Sequence, residues 1–109
     1  MHVATAQPGA TVSLTRLDSE PTSLDDVRAA YDDLRIEQLA ASDGFCTAAL
    51  LTDRKSGRAA VETTWRDLRA LVAARGLSAA RRLDAVKGGN VTVRGIEQYR
   101  LDFQSVELK

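Results

Sequence analysis

Histidine is nearly missing from this chain of 109 residues; the single one is His2. Without a second histidine or a pair of cysteines, a zinc site would need mostly carboxylates, which is rare. A Ser-His or Cys-His nucleophile pair is equally out of reach. One cysteine, Cys46, excludes a disulfide within the chain and fits a reducing, cytoplasmic setting. No apolar run approaches the roughly 18 residues needed to cross a bilayer. An excess of either charge is missing too, 15 basic residues balancing 15 acidic ones. That leaves no net field to draw in nucleic acid or an anionic membrane. Residues 1–10 lack both a basic start and an apolar stretch, so they are expected to be a flexible leader before one domain over 11–109. A glycine-rich phosphate loop is absent as well. Gly88-Gly89 precedes a strand rather than a helix, so it reads as a turn.

What is present is ordinary for a globular domain: 44% hydrophobic and 28% charged residues. A chain of this size buries roughly two-thirds of its unfolded surface and can fold without staples. Abundant alanine, with arginine far commoner than lysine, fits a GC-rich bacterial genome. Thr11 to Leu17 alternates branched and polar residues and predicts a strand. After Asp18-Ser-Glu-Pro21, Thr22 or Ser23 can cap a helix running to about Ala41, with Leu24, Val27, Tyr31 and Leu34 at helical spacing. Gly44 closes it. A hairpin follows: Phe45 to Asp53, the connection Arg54-Lys-Ser-Gly57, then Arg58 to Trp65. A second helical region, 67–74, resumes over 77–86 after Gly76. Val91 to Leu108 predicts a long last strand with a bulge at Gly95. The order β-α-β-β-α-β is the split βαβ of ferredoxin-like α+β domains: an antiparallel sheet with two helices on one face.

That arrangement leaves one sheet face bare, and a face meeting water should be polar at every second position. In the second strand Phe45, Ala49 and Leu51 are expected on one side and Cys46, Ala48 and Leu50 on the other. Both sets are mostly apolar. Two helices cover one face, so a homodimer formed through the other face and the last strand is the economical cover. A monomer with a greasy exposed face is the alternative.

Three segments resemble the antibiotic biosynthesis monooxygenase-like group of the dimeric α+β barrel superfamily: Asp43-Gly44-Phe45-Cys46, Leu50-Leu51-Thr52-Asp53-Arg54-Lys55-Ser56-Gly57-Arg58, and Thr64-Trp65-Arg66. The closing Glu97-Gln-Tyr99-Arg-Leu101 is similar to that group's last strand. The resemblance spans roughly 11–108 and implies a small-molecule pocket between helices and sheet. Because the fold hosts oxygenases, haem-degrading enzymes, isomerases and proteins without activity, it does not choose a reaction. The haem-degrading members use an asparagine in the first strand and a histidine in the second helix. Thr15 stands near the first position and the second helix has no histidine, which argues against haem degradation.

Trp65, at the strand-to-helix junction, is the candidate to stack on an aromatic substrate, although core filling is the commoner fate of a lone tryptophan. Tyr31 and Tyr99 have hydroxyls that can bind a substrate carbonyl or donate a proton, or simply close a core edge. Arg16 and Arg94 can hold a carboxylate or enolate, or bridge to Glu62 or Glu97 across the sheet. Cys46, inside an apolar strand with no base near, reads as a buried inert thiol. Two functions follow as expectations. One is cofactor-free oxidation of an aromatic or polyketide-like compound, needing no metal and binding a small apolar ligand. The other is a non-catalytic dimeric ligand-binding or structural module.

Overall fold

In a computed structural model, residues 8–34, 39–74, 91–102 and 104 are described. They form β1 (Thr11–Ser19), α1 (Leu24–Leu34), β2 (Phe45–Thr52), β3 (Arg58–Trp65), α2 (Leu68–Ala74) and β4 (Val91–Arg100). The sheet is four-stranded and antiparallel in the order β2-β3-β1-β4. This is a ferredoxin-like α+β arrangement.

Pairing places odd-numbered β1 residues with odd-numbered β3 residues, Leu17 opposite Ala59 and Thr15 opposite Val61. Those side chains point at the helices. The α1 stripe of Leu24, Val27 and Tyr31 packs onto Leu17, Ala59, Val61 and Val91. Leu17, Leu24, Val27 and Val61 are sealed from solvent, each worth about 1.5–3 kcal/mol of burial. Asp25 and Asp26 in the first turn of α1 complement its dipole. A second cluster, Leu39, Trp65, Ala70 and Leu71 with Phe45 against it, joins α2 to the end of β3.

Several boundaries and faces differ from the sequence expectations. A 3-10 turn at Pro21–Ser23 leads into α1. The helix is described only to Leu34, with that side chain and residues 35–38 outside the described residues. Ala41 lies in a turn beyond it. The last strand stops at Arg100, not Leu108. Phe103 and residues 105–109 lie outside the described residues, as do the expected helix over 77–86 and the Gly88-Gly89 turn. The β2–β3 register shifts between Phe45 and Thr47, a bulge at Cys46. It turns Phe45 to the helix side with Ala48 and Leu50, leaving Thr47, Ala49 and Leu51 on the open side. The grouping of Phe45 with Ala49 and Leu51 is thereby corrected, since strict alternation ignores the extra residue. Cys46 itself is half-buried, its thiol 3.6 Å from the Gly44 carbonyl.

The bulge expected at Gly95 is present. Arg16 pairs with Gly95 but Leu17 with Val93, leaving Arg94 as the extra residue. Val91 and Val93 therefore face the helices while Glu97 and Tyr99 face the open side. Pro8-Gly9 forms a turn, and the Gly9 and Ala10 backbones exchange hydrogen bonds with Leu101, both 2.8 Å.

Gly57 locks the hairpin to β1. Its φ is +84°, its carbonyl accepts the Ser19 N–H (3.1 Å) and hydroxyl (2.8 Å), and a Cβ there would lie 1.9 Å from the Ser19 carbonyl oxygen. A Cβ at Gly95 meets nothing within 4 Å. Gly57→Ala is expected to cost more than about 2 kcal/mol, and Gly95→Ala less than about 1 kcal/mol, in urea unfolding. Equal costs for the two would show that the close approach at Ser19 does not govern stability.

Candidate functional site

The four residues singled out from the sequence fall on two sides of the sheet. Trp65 ends β3 on the helix side and is only 2% exposed. Its indole N–H donates to the Thr63 hydroxyl at 3.0 Å, and Phe45 meets the ring edge-on with centroids 5.5 Å apart. Alternation puts Thr63 and Trp65 on the same face, so a buried hydroxyl satisfies the buried donor without water. The next residue, Arg66, turns outward between Asp43 (3.4 Å) and Asp67 (3.5 Å). The Asp43 contact, then Asp67, raises its pKa. Asp67 caps α2 by accepting the Ala70 N–H at 2.8 Å, and that bond first of all holds its carboxyl below the usual value. Gly44 makes room for this junction: its φ is +80°, and a Cβ would lie 2.5 Å from Ala70.

Tyr31 is also on the helix side but in the other cluster. Its ring is buried among Leu17, Leu24 and Val61, and it reaches a cleft of about 330 Å³ between α1 and the end of β2. Arg28, Asp32, Leu50, Thr52 and Arg54 line the rest. Arg28 lies three residues before Tyr31 and four before Asp32, spacings that share a helix face. Arg54 comes from the hairpin connection and is held by Asp25 of α1 at 3.0 Å.

Arg16 and Tyr99 lie together on the open side. Arg16 reaches Glu97 at 2.7 Å, and the Tyr99 hydroxyl donates to the other oxygen of the same carboxylate. That hydrogen bond is the main cause of the raised Tyr99 pKa. Arg94 holds Asp18 at 2.6 Å. At this end of the sheet is a concavity of about 550 Å³, lined by Arg16, Asp18, Leu51, Asp53, Arg58 and Arg94 among others. Thr15 is buried on the helix side.

Sequence reasoning passed over Arg28 and Arg54 as cleft residues. The i+3 relation of Arg28 to Tyr31 was the available signal. Nothing in the sequence places the Arg54 hairpin beside α1, because that neighbourhood depends on how far the hairpin reaches.

Neither a protein-family model nor a curated protein matches this sequence. Solved structures do match. A candidate antibiotic biosynthesis monooxygenase from Caulobacter crescentus superposes with TM-score 0.65 at 19% identity, over 92% of each chain. A second such protein, from Bordetella bronchiseptica, gives TM-score 0.66 at 15% identity, over 91% of this chain and 99% of the other. The chain has the antibiotic biosynthesis monooxygenase-like fold. MupZ from Pseudomonas fluorescens shares it at TM-score 0.67 and 9% identity, over 92% of this chain and 74% of its own. At such identities the likeness shows the fold alone. No helix among the described residues is long and apolar enough to cross a membrane.

The Asp67 cap gives a pH signature. A carboxyl whose folded pKa lies below its ordinary 3.8 stabilises the fold above that value and loses the contribution as pH falls through the lowered one. Asp67→Ala is expected to lower Tm at pH 7, the deficit narrowing below about pH 4. A deficit that stays constant down to pH 2 would assign the effect to packing instead.

Proposed function

We propose that this chain is a monooxygenase-like small-molecule-binding protein that works as a homodimer in a bacterial cytoplasm. Its ligand is a small, mainly apolar aromatic or polyketide-like compound carrying a phenol or enolate oxygen. The observation that carries the reading is the cleft at Tyr31, where Leu50 and the tyrosine lie beside two arginines, with Thr52 and Asp32 completing the lining. Guanidinium and phenol donors suit an oxygen that gains negative charge. The open sheet face supports the dimer: Leu51 and Tyr99 are 52% and 51% exposed there, beside Val12, Leu14 and Ala60.

Such a ligand can be oxidised without a cofactor. Deprotonated at carbon, an anthrone-like carbanion passes one electron to dioxygen, and the radical recombines with superoxide to a peroxide anion. Protonation of that anion and loss of water leave the quinone. The protein's part is to exclude water and hold the developing anion. Of the four candidates Trp65, Tyr31, Arg16 and Tyr99, only Tyr31 lines this cleft, and it is the proposed binding residue.

A specific observation favours the second reading, a binding module without catalysis: the indole of Trp65 is enclosed and its N–H is already used. Oxygen-electrode assays with dihydroxyanthrone and related aromatics separate the two. Oxidation predicts uptake above the uncatalysed background, falling about 10–100-fold in Tyr31→Phe. Quenching of Trp65 fluorescence by the same compounds, with no uptake across the panel, leaves the binding module. Neither uptake nor quenching would sink both.

A further inference from the structure

We infer that Arg58 and Glu62 pair reciprocally between two copies of this chain, Arg58 of each against Glu62 of the other, and so set the register of the sheet-face dimer. The inference rests on the homodimer reading above. Both residues are on β3, where Ala59, Val61, Thr63 and Trp65 are buried toward the helices, so Arg58, Ala60 and Glu62 face the open side.

Every other charge on the central strands of that face is taken. Asp18 sits directly opposite Arg58 in the ladder, yet its carboxylate is held by Arg94 at 2.6 Å. Glu97 is held by Arg16 and Tyr99. What remains is Glu62 and a weakly held Arg58. Glu62 has no hydrogen-bond or ion-pair partner among the described residues. Arg58, its side chain 74% exposed, makes a 4.0 Å contact with Asp53 and a 3.4 Å bond to the Ser56 hydroxyl.

Glu62 and Arg58 are self-complementary across such an interface. They lie four residues, or about 13 Å, apart along one strand. Midway between them is Ala60, whose small side chain lets a second sheet approach. A two-fold axis in the plane between two such sheets, crossing β3 over Ala60 at right angles, lays Ala60 on Ala60 and exchanges positions 58 and 62. Two ion pairs then form for one contact, as an isologous interface requires. Arg16 shares the Ala60 row but is neutralised by Glu97, so it adds no repulsion across the axis.

Sedimentation equilibrium and native mass spectrometry on the full chain test this with Arg58→Glu and Glu62→Arg. Each variant homodimer carries two like-charge pairs, whereas a mixed dimer of the two variants carries two opposite pairs. Each variant alone is expected to self-associate at least about tenfold more weakly than wild type. Mixed one to one, they are expected to form a heterodimer of near wild-type affinity, a recovery that misfolded chains cannot give. R58E/E62R is expected to regain the homodimer. A wild-type dimer with both single variants equally tight, and no preference for the mixed dimer, overturns the pairing while leaving the dimer standing. A wild-type monomer at micromolar concentration overturns both.

Discussion

Covering one side of a four-stranded sheet with two short helices is the constraint from which the remaining features follow. It forces Leu17, Val61 and Trp65 inward together and pushes every alternate neighbour outward, toward a side for which the described residues contain no helix. On the helix side Leu24 and Val27 are fully sealed, while Ile96 on β4 stays exposed. The outward side holds a mixture of aliphatic residues and ion pairs. Such a mixture tolerates water, and it also offers more order than a merely wetted surface needs.

Two bulges decide which chemistry appears on which side. Each inserts one residue and reverses the alternation beyond it. The Cys46 bulge sends Phe45 to meet Trp65, closing the core at the strand end. The bulge at Arg94 sends Glu97 and Tyr99 away from the helices and beside Arg16. The aromatic candidates therefore do not converge on one pocket: Trp65 and Tyr31 share the helix side but sit in separate clusters, while Tyr99 lies behind the sheet. Chemistry at any one of these places uses one aromatic residue, and the polar groups around Tyr31 come from α1 and the hairpin rather than from the other candidates.

Much of the fold was legible because local signals agreed. Periodicity in α1, the glycine-terminated hairpin and the Gly95 irregularity each pointed the same way as the tertiary packing. Strand ends and faces were less legible. Nothing in the residues around Phe45 announces a bulge at a cysteine, and nothing in the sequence after Arg100 marks the end of the described strand. The site was legible residue by residue and not as an assembly. Arg16 with Glu97 is a cross-strand pair that alternation suggests. Arg54 beside Tyr31 depends on long-range placement, on which a hairpin's own sequence is silent.

The position of β2 at the margin of the sheet gives the Cys46 bulge a protective consequence. Phe-Cys-Thr-Ala-Ala-Leu-Leu is uncharged, apolar and free of proline, the kind of segment that recruits like strands when its outer backbone groups are left open. A straight ribbon of that composition would template stacking of chain upon chain. The extra residue kinks it near its start, and charged Asp53, Arg54 and Lys55 stand just past its other end, so the segment keeps its grease for the core without offering a flat rail to strangers.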